Sequence, residues 1–295
     1  MSKVDVHSIV KPFLVRNGKQ FRLKDVKPGD TLGLSPTKDW ATQVLQEGVR
    51  RLANLQERLY AQDRWGVLLI FQAIDAAGKD GAIAHVMSGV NPQGCQVFSF
   101  KAPSAEDLDH DFLWRTSRNL PERGRIGIFN RSYYEEVVVV RVHPDILAKQ
   151  RIPQSLVTKD IWRERYDDIN AFERYFARNG YVILKFFLHI SKDEQRRRFL
   201  KRLDEPEKNW KFSLADVKER GHWRDYMSVY EDMIRHTATP HAPWIVVPAN
   251  KKWFARWVVA AATIDALDQL KLKFPTVSKQ RRQELMAVRS SLASS

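Results

Sequence analysis

The sequence predicts a three-layer α/β fold, in which a parallel sheet lies between two layers of helices. Three observations lead to this prediction: apolar runs of strand length recur along the chain, helical stretches separate them, and a glycine-containing turn follows the first run. Apolar strands that alternate with helices are typical of a parallel sheet covered on both faces. The runs predict strands at residues 67–73, 95–100, 125–129, 181–190 and 244–247.

Helices are expected before, between and after these strands. Amphipathic patterns predict a long helix at about 39–61 and further helices near 79–88, 105–119, 159–179 and 252–272. Residues 1–40 contain many Pro and Gly residues and are expected to be irregular. The charge-rich stretch 191–236 has no strand signal, which predicts a helical lid over the mouth of the sheet.

These elements divide the chain into three parts. Residues 1–62 are an N-terminal extension and helix, residues 63–275 form the α/β core with its lid, and residues 276–295 are a polar tail that we expect to be disordered. At 295 residues the chain is long enough to bury a full core of this kind.

The charge balance points to an anionic partner. Lys and Arg number 49 against 35 Asp and Glu, which leaves a net charge of +14. Such a field attracts polyanions, either nucleic acid, the commoner case, or an anionic substrate. Cys95 is the single cysteine, which excludes an intrachain disulfide and fits a reducing compartment. Without a secretory leader or a membrane-spanning apolar run, we expect a cytoplasmic protein with no membrane contact.

A phosphate-binding loop is predicted directly after the first strand. The pattern is close to G-x-x-x-x-G-K-[ST], with Ala73 at the first glycine position and Asp80 at the Ser/Thr position. In such a loop, backbone N–H groups and the helix dipole hold phosphate oxygens, and Lys79 adds a mobile cation. The loop residues expected to bind phosphate are Ala76, Ala77, Gly78, Lys79 and Asp80. A simple turn after the strand is the alternative interpretation.

Asp75 is a carboxylate inside this anion-binding loop, where it would repel phosphate unless a cation lies close by. A magnesium ion that bridges Asp75 and phosphate oxygens removes the conflict, and Mn²⁺ is an alternative metal. We therefore predict Asp75 as the metal ligand. The alternative is a turn aspartate that bonds its own backbone.

A second group of candidates follows the strand predicted at 125–129. Ligands of open α/β sheets bind beyond the carboxyl ends of strands, which places Asn130 and Arg131 beside the phosphate loop. The planar fork of Arg131 suits a bridge between donor and acceptor phosphates, and Asn130 suits a phosphate oxygen or metal-bound water. Together with Asp75 and Lys79, these two residues are the predicted catalytic set.

Three more arginines are candidate phosphate ligands. Arg115 lies on the helix predicted before the second group, and Arg198 and Arg202 share one face of a helix in the lid. A solvated charged face is the alternative for the lid pair. The aromatic stretches around Trp210 and Trp223 are expected to pack the lid onto the core rather than to stack a base.

Several segments resemble the family-2 polyphosphate kinases. They are the loop region 71–81, residues 86–92, the run Phe-Asn-Arg-Ser-Tyr-Tyr at 129–134, the lid segment 194–202 and the stretch 243–256, within about 40–270. The resemblance implies a P-loop kinase-like core similar in fold to thymidylate kinase, and phosphate transfer between polyphosphate and nucleotides with magnesium. By motif it matches seven residues: Asp75, Lys79, Arg115, Asn130, Arg131, Arg198 and Arg202.

Two departures from the family pattern stand at Ala73, where many members have glycine, and at Asn130, where many have aspartate. The form Asn-Arg-Ser-Tyr-Tyr-Glu-Glu at 130–136 resembles class III, which accepts nucleoside mono- and diphosphates. We therefore expect a polyphosphate-dependent phosphotransferase whose partners are inorganic polyphosphate, AMP, ADP and ATP, with no nucleic acid, in a homo-oligomer. An ATP-dependent nucleotide kinase and a basic nucleic-acid-binding protein with a degenerate P-loop are the alternatives.

Overall fold

The computed structural model describes residues 5–294, apart from the side chain of Lys211, so residues 1–4 of the predicted extension and residue 295 of the tail lie outside it. The described chain contains a six-stranded sheet in the order β1-β6-β5-β2-β4-β3. All neighbouring strands are parallel except β1, which is antiparallel to β6. The strands are β1 Leu14–Val15, β2 Gly66–Gln72, β3 Cys95–Ser99, β4 Ile126–Asn130, β5 Tyr181–His189 and β6 Trp244–Pro248.

Helices surround the sheet. They are α1 Val6–Val10, α2 Lys38–Gln62, α3 Lys79–Val86, α4 Ala105–Leu108, α5 Trp114–Ser117, α6 Glu135–Val142, α7 Pro144–Lys149, α8 Ile161–Arg178, α9 Lys192–Asp204, α10 Leu214–Gly221, α11 Trp223–Thr237, α12 Lys252–Gln269 and α13 Lys279–Ala293. One layer contains α1, α2, α3 and α12, and the other contains α6, α8 and α11. The predicted three-layer α/β fold is confirmed.

The core explains why the strand predictions hold. Every residue of β2 is buried, because helices cover both faces of the parallel sheet. Helix α12 is buried nearly all round, since it packs between the sheet and α2. An edge contact between Trp40 and Trp257, with ring centroids 5.7 Å apart, joins these two helices.

Four sequence predictions differ from the structure. The helix expected over 105–119 is two short helices, α4 and α5, and the intervening turn is held by the Asp111 carboxylate, which accepts from the Leu113 N–H. Helices α6 and α7 were not predicted, and the run of valines in α6 has strand propensity. The irregular region 1–40 contains α1 and strand β1. The tail expected to be disordered forms the exposed helix α13.

The topology brings the loops after β2 to β6 to one edge of the sheet, because these strands are parallel. Helices α9, α10 and α11 follow β5, so the predicted helical character of this stretch is confirmed. Helices α9 and α10, with the 3₁₀ helix Pro206–Lys211 between them, are termed the lid, whereas α11 packs in the layer with α6 and α8. In the part of the chain that the structure describes, no helix is both long and apolar enough to cross a membrane.

Candidate active site at the carboxyl edge of the sheet

A cavity of 710 Å³ lies at this edge, between the loop after β2, the end of β4, the lid and the start of α12. It brings together all but one of the candidates that the sequence singled out. Those that line it are Asp75, Ala76, Ala77, Gly78, Lys79, Asp80, Asn130, Arg131, Arg198 and Arg202. Arg115 lies outside this cavity.

The loop after β2 has the backbone shape of an anion-binding turn. Ala76 and Gly78 have left-handed φ angles of 62° and 100°, and Lys79 is the first residue of α3. A side chain at position 78 would be strained at this φ, and its Cβ would lie 3.3 Å from Nη1 of Arg198. No side chain caps the N-terminus of α3 at Gly78. The positive end of this helix therefore faces the cavity with backbone N–H groups for a phosphate.

Lys79 is buried, and its Nζ donates a hydrogen bond of 2.9 Å to the carbonyl oxygen of Ala73. Burial lowers its pKa, and the neighbouring Arg131 lowers it further, while the nearby carboxylates oppose both effects. A phosphate in the loop would stabilise the charged ammonium. The Lys79 side chain is thus held across the loop, and an anionic ligand would favour its charged form.

Arg131 joins the ends of two neighbouring strands. Its backbone N–H donates to the Phe71 carbonyl at 3.0 Å, and its guanidinium pairs with Asp75 at 3.2 Å and Glu135 at 3.5 Å. The residue adopts a left-handed φ of 65°. Burial raises the pKa of Glu135, and the charges of Arg131 and Lys79 oppose that rise. Two carboxylates therefore fix the guanidinium at the wall of the cavity.

Asn130 forms a hydrogen bond to the first turn of α3. Its Nδ2 donates a hydrogen bond of 2.7 Å to Oδ1 of Asp80, the residue at the Ser/Thr position of the loop pattern. An amide at position 130 bonds to this carboxylate, whereas a second carboxylate there would repel it unless a proton or cation lay between them.

The carboxylates that face the cavity fit a magnesium ion shared with phosphate. Among residues 5–294 no group of three His, Cys, Asp or Glu side chains is close enough to form a ready-made metal cage. Magnesium bound to substrate phosphates needs only one or two protein carboxylates. Burial raises the pKa of Asp216 in the lid, and the charge of Asp75 raises it further. A divalent cation near Asp75 and Asp216 would relieve the repulsion between these two carboxylates.

The guanidinium of the lid arginine Arg198 makes all its hydrogen bonds to protein acceptors in this structure. Its Nη1 donates to the carbonyls of Ala76 and Ala77 at 3.1 and 2.6 Å, and its Nη2 donates to Ala249 and Asn250 at 2.5 and 3.3 Å. Its Nε donates to a Glu194 carboxylate oxygen at 2.7 Å. All five N–H groups of the guanidinium thus have acceptors, and Arg198 holds the phosphate loop from the lid side. A direct contact between Arg198 and phosphate stays a prediction.

Arg202, one turn further along α9, lines the cavity and lies 3.7 Å from Asp216. Arg115 occupies a neighbouring position instead. Its Nη1 donates to the Lys101 carbonyl at 2.8 Å, and its Nη2 lies 3.5 Å from Glu136. It lines two adjoining cavities of 360 and 400 Å³, of which the larger shares residues 99–102 with the central cavity.

Sequence reasoning missed a group of basic residues in the cavity, which we term the cation cluster: Lys201, Lys208, Lys252 and Arg256. Burial lowers the pKa of Lys252, and the next influences in size are four cations, Arg198 and the rest of the cluster. Lys252 and Arg256 are four residues apart in the first turns of α12, directly after β6. That spacing beyond a strand end was the available sequence signal.

The lid aromatics divide into two kinds. Trp223 packs against the hydrophobic core and Phe212 contacts the ring of Phe199 edge-on, as a packing role predicts. The packing prediction is wrong for Trp210, which is 77% exposed and lines the cavity. It lies in a 3₁₀ helix, Pro206–Lys211, which also carries Lys208 of the cation cluster, and both Lys208 and Trp210 line the cavity.

Comparisons with known proteins show the family of this chain. The family model for polyphosphate kinase 2 matches residues 36–275. An ADP-polyphosphate phosphotransferase from Rhodopseudomonas palustris is 53% identical over 283 residues, which cover 93% of this chain and 98% of the relative. An AMP/ADP-polyphosphate phosphotransferase from Meiothermus ruber is 45% identical over 266 residues, with 90% and 96% covered.

A solved structure gives the same result for the fold. The crystal structure of polyphosphate kinase 2 from Arthrobacter aurescens superposes with a TM-score of 0.84 at 40% identity, and covers 92% of this chain and 95% of its own. The resemblance indicated by the loop, the Asn130–Arg131 segment and the lid is thereby confirmed. This chain belongs to the polyphosphate kinase 2 family.

Proposed function

We propose that this protein transfers the terminal phosphate of inorganic polyphosphate to AMP and to ADP, and that the reaction runs in reverse from ATP. The observation that carries the proposal is the cation cluster, which lines the same cavity outside the phosphate loop. A nucleotide donor presents a few phosphates to the loop, whereas a polyphosphate chain continues beyond it as a line of negative charge. Cations beyond the loop therefore favour the chain as donor.

The names of the two relatives support this donor, since both are polyphosphate phosphotransferases. The Meiothermus ruber protein is named for both AMP and ADP, and the Rhodopseudomonas palustris protein for ADP. The class III form of residues 130–136 supports use of both acceptors by this chain. We place the acceptor nucleotide in the 400 Å³ cavity that Arg115 and Arg118 line, because it opens at the end of β3 and shares residues 99–102 with the central cavity.

The proposed step is an in-line displacement. A terminal phosphate oxygen of AMP or ADP attacks the end phosphorus of the chain, and the bond from that phosphorus to the bridging oxygen breaks, which leaves a chain shorter by one phosphate. The attacking oxygen is ionised at neutral pH, so no side chain has to remove a proton. Lys79, Arg131 and the loop N–H groups orient the phosphates and neutralise the charge around the transferring group.

Magnesium, or manganese in its place, would be held by Asp75 with phosphate oxygens and would neutralise phosphate charge when bound. Asn130 keeps Asp80 at the head of α3, and Arg198 keeps the loop carbonyls turned towards the lid. Side chains of the lid line one wall of the cavity, and their closure over bound phosphate would limit the access of water to the phosphate being transferred.

The test is a product assay without ATP. AMP and, separately, ADP are incubated with polyphosphate and magnesium, and nucleotides are separated by chromatography, with Lys79→Ala as the control. We expect ADP and ATP from AMP, and ATP from ADP. Products that form only in a parallel assay with ATP in place of polyphosphate would identify a nucleotide kinase. Tight binding of DNA or RNA without any product would identify a nucleic-acid-binding protein.

Three properties stay predictions from the sequence: a homo-oligomeric state, a cytoplasmic location and the lack of nucleic-acid binding. The convergence of the cations inside a cavity, rather than over a flat surface, supports the last of these. Light scattering after size-exclusion chromatography tests the first directly.

A further inference from the structure

A buried polar network lies directly behind Arg131. Lys185, in the middle of β5, and Glu173, on α8, form an ion pair of 2.6 Å in which both side chains are 0% exposed. The hydroxyl groups of Tyr133 and Tyr134 both donate to the other carboxylate oxygen of Glu173, at 2.9 and 2.7 Å. Four charged or polar side chains are thus in mutual contact without access to solvent.

The network is fully satisfied. An ammonium group has three N–H donors, and those of Lys185 go to Glu173, to the hydroxyl of Tyr134 at 2.9 Å and to the carbonyl of Thr237 at 2.7 Å. Burial lowers the pKa of Lys185, and the pairing with Glu173 opposes that effect. The cavity does not include any of these groups, so they do not touch the proposed substrates.

The position of the network links it to the site. Tyr133 and Tyr134 follow Arg131 after a single residue, Ser132, whose hydroxyl accepts from the Tyr134 N–H at 3.1 Å. Arg131 has a left-handed φ of 65°, which a non-glycine residue keeps only when its surroundings determine it. On one side the Phe71 carbonyl holds the Arg131 N–H. On the other side the two anchored tyrosines hold the chain.

We infer that Tyr134, Glu173 and Lys185 are positioning residues for Arg131, an inference that rests on the proposed function of that residue. The network fixes the turn Arg131-Ser132-Tyr133-Tyr134 against α8 and β5, so that the guanidinium remains at the cavity wall between Asp75 and Glu135. The same ammonium also holds the carbonyl of Thr237, the last residue of α11. Helix α11 and the turn that carries Arg131 therefore share one buried anchor.

Stability alone does not explain this arrangement. The attraction within a buried ion pair only partly offsets the cost of removing both charges from water. Such a pair therefore stabilises a fold no better than apolar residues of the same size. What an ion pair supplies is a fixed geometry, because its donors and acceptors must meet at defined positions. The segment that this network fixes is the one that carries Arg131.

The test is a double-mutant cycle. Tyr134→Phe removes one hydroxyl and leaves the volume unchanged, and it is measured alone and together with Arg131→Ala. Since a misplacement of about 1 Å costs up to about a hundredfold in rate, we expect Tyr134→Phe to lower kcat about tenfold, with the KM for polyphosphate unchanged. In the Arg131→Ala background the same substitution is expected to lower kcat no further.

Leu59→Ala is the matched control, because Leu59 is fully buried in α2 and lies near the opposite edge of the sheet. It should lower the melting temperature and leave kcat unchanged. Glu173→Gln is a second variant, with a larger expected loss of kcat. Losses of kcat that add in the double variant, or a Leu59→Ala loss of kcat equal to that of Tyr134→Phe, would overturn the inference. An unaltered protein without polyphosphate-dependent turnover would instead overturn the proposed function.

Discussion

The cations on the two sides of the central cavity have different electrostatic surroundings. On the phosphate-loop side each cation has a protein partner: Lys79 bonds the Ala73 carbonyl, Arg131 pairs with Asp75 and Glu135, and Arg198 bonds the loop carbonyls. On the opposite side, formed by the start of α12 and the lid, the strongest charge effects on Lys252 come from other cations, and Lys201 and Lys208 pair with Glu205. Fixed cations suit the transferring phosphate, and mutually repelling cations suit the capture of a polyanion.

The difference therefore suggests a division of roles. Groups that are already held in place lose little order when the transition state forms, so their removal should lower kcat. Cations that repel one another are stabilised by any bound phosphate chain, so their removal should weaken binding. The predictions below separate these two effects.

The largest effect is expected on the loop side. Lys79→Ala removes a buried ammonium beside the transferring phosphate, and by analogy with other preorganised donors we expect kcat to fall by about a hundredfold to a thousandfold. The melting temperature should change little, because the side chain makes one hydrogen bond to the protein. Steady-state kinetics and thermal unfolding test both statements. A variant with nearly normal kcat would assign the loop a structural role only.

A smaller loss is expected for Asp75→Asn, which keeps the shape of the loop. The amide is a weaker metal ligand, so the magnesium concentration needed for half-maximal rate should rise about tenfold or more. Saturating magnesium should restore much of the rate. Activity assays across a magnesium titration provide the measurement. Full activity at limiting magnesium would show that the metal is held elsewhere.

The cation cluster should respond in binding rather than in turnover. Replacing Lys252 and Arg256 together with alanine should raise the KM for polyphosphate and reduce the dependence of log affinity on log salt by about one to two units. The matched control is Arg281→Ala with Arg282→Ala, which removes the same charge from the exposed helix α13. An equal effect of both pairs would mean that only the net charge matters.

The smallest effect concerns pH. Because burial and Arg131 lower the pKa of Lys79, its ammonium is present at low pH and is lost as the pH rises through that lowered value. The alkaline decline of kcat/KM should therefore begin below the pH at which an exposed lysine titrates. Bound phosphate raises this pKa, so the decline of kcat should lie at higher pH. Lys79→Arg, which stays charged, should remove the decline.

Local patterns explain which parts of this site the sequence predicted. The phosphate loop was recognisable because strand, loop and helix are contiguous, and Gly78 and Lys79 stand at the positions that such a loop requires. Asn130 and Arg131 were found because parallel strands end at the same edge. Five of the six strands in the described chain were predicted to within one residue at each end, and in four of them, β2, β4, β5 and β6, the apolar run is largely buried on both faces.

The remaining features depend on tertiary contacts. Lys252 and Arg256 reach the loop after β2 only because β6 pairs with β5, which in turn pairs with β2. Arg198 was singled out by its charge, but its bonds to the loop carbonyls follow from how α9 packs on the loop. Helix α6 forms from a valine-rich stretch because its buried face packs on α8 and α11, which outweighs the intrinsic preference of valine for strands.

Donors of different length give the most direct test of whether the loop cations act in turnover and the cation cluster acts in binding. The values of kcat and KM are measured with AMP and either tripolyphosphate or long-chain polyphosphate, for the unaltered protein, for Lys79→Ala and for the Lys252→Ala/Arg256→Ala pair. We predict that Lys79→Ala loses kcat equally with both donors, whereas the pair raises KM for the long chain and leaves the short donor nearly unaffected. An equal loss with both donors in the Lys252→Ala/Arg256→Ala protein would contradict the account.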